Sequence, residues 1–226
     1  MTQEQTISSG GSLRAASDTN SSLTRALLAC GAVAGPFFVV VGLTQAFTIP
    51  GFDLRRHFLS LLSSGDLGWI QIANFVIGGL LTIAFAVGAW RALHGSRMGR
   101  LGPLLIGGFG VGLVAAGVFV PDPAMGFPPG TPDGIPQQIS WHSALHGVAA
   151  IVSFLFLVAG CFVFAFRFAG DRQWGWAAYS VATGLVSFAL PLVPNPWGGV
   201  FLFTAAAVGF AWLLALAVRL MRRDRD

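Results

Sequence analysis

Two histidines four residues apart, His142 and His146 in the run WHSALH, form the sharpest chemical pairing in this 226-residue chain. Residues at that spacing share one face of a helix, and two imidazoles so placed can hold one metal ion. Zinc needs a third or fourth ligand; His57, Asp122, Asp53 and Asp66 are the candidates. The run is HSALH and lacks the glutamate of the HExxH zinc-protease pattern. The alternatives are an unmetallated contact to a substrate or proton, and histidines hydrogen-bonded to loop backbone. Arg55 and Arg56, beside Asp53 and His57, form a second group. The planar guanidinium fork suits phosphate, so this group reads either as recognition of an anionic headgroup or as solvated loop charge. Ser60 lies three residues from His57, which by itself does not make a nucleophile pair. The chain has no G-x-S-x-G nucleophile elbow. Cys30 and Cys161 fall in apolar segments and read as small buried hydrophobes.

The elements that must position these residues follow from composition. Hydrophobic residues make up 54% of the chain and charged residues only 10%, against about 25% charged in a soluble domain. So few charges cannot cover a water-facing surface, and so much apolar residue excludes disorder. The reading is an all-α membrane protein. Apolar stretches of about 20 residues, the length a bilayer requires, fall at 24–47, 68–92, 101–120, 139–167, 175–193 and 198–219. They predict six transmembrane helices over 23–220, after a disordered polar tail at 1–22 and before a charged C-terminus at 221–226.

All 13 basic residues are arginine; the lack of lysine fits a GC-rich bacterial genome. With the N-terminus inside, eleven arginines fall on the cytoplasmic side and two, Arg55 and Arg56, outside, out of 13. The arginine bias of cytoplasmic loops then places both termini in the cytoplasm, in the plasma membrane of a bacterium. Tryptophans mark both boundaries: Trp69, Trp141 and Trp197 outside, and Trp90, Trp174 and Trp176 inside. Nucleic acid is not an expected partner, because no basic stripe with interleaved aromatics is present. Nothing in the residues fixes an oligomeric state.

Polar residues of the helices concentrate toward the external side: Gln45, Gln71, Asn74, Ser140, His142, Ser143, His146, Ser187 and Thr204. An unsatisfied polar group in hydrocarbon costs several kcal/mol, so these are expected to face one another around a polar crevice open to the outside. Two loops would roof it. The first, PGFDLRRHFLSLLSSGD, carries an FLSLL run suited to an interfacial amphipathic segment. The third, PDPAMGFPPGTPDGIPQQ, reads as a stiff folded lid, because proline limits the entropy lost on ordering. Gly108 and Gly112, with Ala116 one turn on, predict close helix packing.

The runs RRHFLSLLSSGDLGWIQIANFVIGGLL, GVFVPDPAMGFPPGTPDG and SWHSALH resemble a family of bacterial integral membrane proteins called domain of unknown function 998. The likeness runs from about the first helix to the last. Members commonly carry proline where this chain has Phe58. The resemblance implies a multi-pass membrane protein and adds no catalytic residue.

The leading expectation is a non-catalytic protein that binds a small or lipidic ligand through Arg55, Arg56, His57, Asp66, Asn74, His142 and His146, with no cofactor. One alternative is a metal-dependent intramembrane hydrolase holding zinc at His142 and His146. Another is a small transporter, which would need a polar path through the inner half, where only Thr82, Ser180 and Thr183 are evident.

Overall fold

Hydrocarbon leaves a backbone no hydrogen-bond partners but its own, so each apolar run closes into a helix. The computed structural model describes residues 3–93 and 97–223, with side chains described for 20–93 and 99–223. Helix α1 runs Gln3–Thr48, α2 Gly68–Ala92, α3 Arg97–Val118, α4 Trp141–Gly170, α5 Trp174–Ala189 and α6 Gly198–Arg223. There is no named strand among the described residues. Six helices among the described residues are long and apolar enough to cross a membrane, the first over Asn20–Thr48. The expected polar tail falls mostly on residues whose side chains lie outside the described set, and residues 224–226 of the charged C-terminus lie outside it as well.

The outward faces are as apolar as the core: Val40 is 62% exposed, Phe47 79% and Ile151 65%. That pattern suits lipid rather than water. Each helix packs on its neighbours in sequence and α6 returns to α1, so the six form a closed ring. The interior holds Leu28, Phe85, Phe109, Leu157, Phe210 and Trp212. Crossing six times puts both chain ends at one end of the bundle. The α1–α2, α3–α4 and α5–α6 connections are at the other, here called the loop end.

Glycine sets the closest contacts, because without a hydrophobic driving force helices gain most from close van der Waals approach. A Cβ on Gly79 of α2 would lie 2.6 Å from the Gly110 carbonyl of α3, and one on Gly110 would lie 2.8 Å from the Gly79 carbonyl. The expected Gly108–Gly112 stripe faces α4: a Cβ on Gly108 would meet Phe156 at 2.8 Å, and one on Gly112 would meet Ser153 at 2.5 Å.

The FLSLL run departs from its expected interfacial position. It forms a 3-10 helix, Leu59–Ser64, with Leu59, Leu61, Leu62 and Ser63 buried. Leucine at three of its positions gives it more apolar surface than one interfacial face can use, so it tucks into the bundle mouth against α2 and α1.

The third loop is folded, as its prolines suggested. Ala124 and Phe127 form an isolated bridge. Met125 N donates to Gly134 O at 2.7 Å and Gly126 N to Pro132 O at 3.2 Å. Met125, Gly126, Gly130 and Gly134 take positive φ, which glycine adopts at little cost.

Candidate functional site

The first and third loops are clasped together. Phe127 is buried against Phe52 and His57, with ring centroids 5.3 and 5.6 Å apart. His57 is the buried polar pin of this contact. Its Nδ1 accepts from Asp53 N at 2.9 Å, so its proton sits on Nε2, which donates to Met125 O at 3.0 Å. Arg56 adds a hydrogen bond to Met125 O at 3.1 Å and an ion pair with Asp133 at 2.8 Å. Both members of that pair are largely exposed, which makes it worth little. Arg55 lies over the Trp197 ring, 5.4 Å from its centroid, and ties the first loop to the start of α6. Asp66 is exposed at the start of α2.

Both histidines of the WHSALH run cap α3. The last carbonyls of a helix have no partner within it. His146 Nδ1 lies 2.9 Å from Ala116 O and 2.8 Å from Phe119 O. Carbonyls only accept, so Nδ1 carries the proton. His142 Nδ1 donates in the same way to Val120 O at 2.8 Å. The spacing of four thus serves three carbonyls, Ala116, Phe119 and Val120, at and just beyond the end of one neighbouring helix.

The N-terminus of α4 is fixed by the same cluster. Ser140 is its N-cap, with Oγ accepting from Ser143 N at 3.2 Å. Asp122 accepts from Ser140 N at 2.7 Å and from Ser140 Oγ at 2.6 Å. These two bonds, led by the hydroxyl, hold the Asp122 carboxyl below the ordinary carboxylate range, and nearby His142 adds to the effect. His142 Nε2 is 3.9 Å from Asp122 Oδ1. No group of three or more His, Cys, Asp or Glu side chains comes together among the described residues.

Asn74 belongs to another cluster, between α1 and α2. Gln71 Oε1 accepts from Gln45 Nε2 at 2.8 Å and from Asn74 Nδ2 at 3.2 Å, and Asn74 Nδ2 also donates to Phe38 O at 3.1 Å. All three amides are buried, and Gln45 Oε1, Gln71 Nε2 and Asn74 Oδ1 lack a partner. Six of the seven residues expected to bind ligand therefore occupy three places: the loop clasp, the α3 cap and the α1–α2 amide cluster. Asp66 stands apart at the surface.

A cleft of about 360 Å³ opens at the loop end between α4, α5 and α6. Its wall includes Phe58, Ile151, Leu155, Phe188, Pro191 and Leu192. Beneath it, inside the ring, is a void of about 80 Å³ bordered by Phe38, Phe75, Phe109 and Phe210. The two share Ser60, His146, Ala150, Phe154 and Leu202. At most one layer of side chains separates them. Ser187 also borders the cleft, but its hydroxyl donates to Ala205 O at 3.2 Å. His146, its Nδ1 committed to α3, retains the Nε2 lone pair as an acceptor. A larger groove of about 910 Å³ between α2, α3 and α4 is lined almost wholly by apolar residues and glycine.

Over residues 32–219 the chain matches the family described as protein of unknown function, DUF998. The chain belongs to that family. The DUF998 match spans all six membrane-crossing helices in whole or large part. No curated protein and no solved structure matches the chain. This DUF998 protein is a multi-pass membrane protein. Sequence reasoning did not place Ser60 on the same cleft wall as His146. It also missed Ala150 and Phe154, although their steps of four from His146 place all three on one stripe of α4.

Proposed function

We propose that this protein binds a lipid-soluble ligand in the lateral cleft between α4, α5 and α6, with an apolar chain along the cleft and a hydrogen-bond donor against His146 Nε2. The observation that carries the reading is the cleft itself. Its volume of about 360 Å³ falls within the usual range for small-molecule sites, and Ser60 and His146 stand where it meets the interior void. Apolar contact alone cannot select a ligand here, because lipid is as apolar as the cleft. Discrimination falls to the donor, whose bond is worth about 1 kcal/mol, or roughly fivefold in affinity. An alcohol or amide on a long chain has the required chemistry. Arg55, Arg56, His57 and the third loop keep the mouth shaped rather than touching the ligand. Asn74 and His142 likewise support the bundle.

The arginine bias of the sequence, with Arg55 and Arg56 alone assigned to the external loops out of 13, supports a cytoplasmic location for both termini in a bacterial plasma membrane. The cleft then opens into the outer leaflet.

Photolabelling tests the site. A long-chain alcohol carrying a diazirine is expected to label the segment around Ala150 and Phe154. Gly147→Leu should block that labelling, because Gly147 lines the cleft and a Cβ there meets nothing within 4 Å. Labelling spread evenly over all lipid-facing helices, or unchanged in Gly147→Leu, would overturn the assignment.

A further inference from the structure

At the terminal end of the bundle, away from the cleft, a groove of about 760 Å³ combines an apolar wall with a cationic rim. The wall is the α6 face carrying Ala211, Leu214, Ala215 and Val218, and the rim is Arg219, Arg222 and Arg223. No acidic side chain is among the residues that line it. Arg219 is held in place: its guanidinium centre lies 4.7 Å from the Trp176 ring centroid and 5.2 Å from that of Phe168. It also hydrogen-bonds the Gln173 side-chain oxygen. Stacking on two rings fixes the planar fork without neutralising its charge. Arg222 and Arg223 are exposed in the last turn of α6. Among the described carboxylates, only Asp171, exposed on the α4–α5 turn, acts on Arg219. Asp224 and Asp226 lie outside the described residues.

From this geometry we infer a binding site for an anionic phospholipid, with its phosphate at Arg219, Arg222 and Arg223 and an acyl chain along the α6 face. Guanidinium forks match phosphate oxygens in pairs, and basic pockets between helices at the membrane surface suit anionic headgroups. The apolar wall separates the two sources of phosphate. A free phosphate ion would use only the rim, whereas a phospholipid fills both parts. The site is independent of the cleft at the loop end and involves none of its residues.

Native mass spectrometry of the full chain tests the inference. The protein is exposed to phosphatidylglycerol and phosphatidylcholine of matched chains at equal mole fraction. Retention of phosphatidylglycerol is expected to be about tenfold higher, and Arg222→Gln/Arg223→Gln should reduce it to the phosphatidylcholine level. Arg222→Lys/Arg223→Lys should keep most of the preference, and Arg55→Gln/Arg56→Gln at the other end should leave it intact. Equal retention of the two lipids by the unaltered chain overturns the site without recourse to any variant. So does a preference unchanged in the double glutamine variant. Binding of inorganic phosphate through the same arginines, with no competition from phosphatidylglycerol, would overturn the lipid assignment.

Discussion

Replacing Asp122 by Asn tests whether the loop carboxylate fixes the start of α4. Two short hydrogen bonds join the carboxylate to Ser140, and Ser140 in turn caps the helix. The amide keeps one acceptor oxygen and presents a donor to Ser140 N or Oγ. One charge-assisted bond is therefore lost, worth about 1.5–3 kcal/mol. The Asp122 side chain is only 17% exposed, so water replaces little of it. Unfolding in detergent should show Asp122→Asn less stable at pH 7 by about 1.5–3 kcal/mol. Ser140→Ala should lose about 1 kcal/mol from the cap plus its bonds to Asp122. The double variant should lose less than the sum, because both changes break the same cluster. Acid gives an independent check. The Ser140 hydroxyl and N–H hold the Asp122 carboxyl below its ordinary 3.8, so its contribution is fully present above that value and is lost as pH falls through the folded-state value. The gap between the wild type and Asp122→Asn should stay constant from about pH 8 to 5 and close below about pH 4. A gap of only a few tenths of a kcal/mol at pH 7, or one that widens in acid, would refute the reasoning.

The other expectations concern packing. Gly79→Ala should destabilise the α2–α3 seam by about 1–3 kcal/mol, because its Cβ would meet the Gly110 carbonyl; Gly147→Ala, in open space, is the neutral control, and equal melting of the two would contradict the seam. Gln71→Leu should cost about 1–2 kcal/mol, since it strands one amide hydrogen each on Gln45 and Asn74. In Gln45→Leu/Gln71→Leu/Asn74→Leu those donors go too, and the loss should fall short of the summed single changes. Strict additivity in the unfolding energies would count against a shared network.

The spans were legible because hydropathy and length report directly on the bilayer. The ends of α2 were read at Gly68 and Ala92, where the structure has them. The proline-rich loop was also legible as a folded piece. What the residues alone did not give was helix rotation. His146, Gln71 and Ser187 all belong to the loop-end half, which made one shared recess the economical expectation. Rotation is set by backbone contacts such as Gly79 against Gly110 and Gly112 against Ser153, and among 30 glycines no residue type marks which will meet. Those contacts send Gln71 toward α1 and His146 toward the end of α3. The histidine spacing of four was visible, but an orphan carbonyl leaves no mark in a sequence. That end of α3 shows only when the turn beyond it is placed.

Because every helix leans on its predecessor and the last comes back to the first, the growing chain can settle one hairpin at a time as it leaves the ribosome. No early contact has to be undone. Closure alone must wait for α6, whose Phe210 covers the flank of α1 at Gly35 and Phe38. Until then that flank is open to lipid, and a quality-control protease or a membrane chaperone would meet the nascent protein there first.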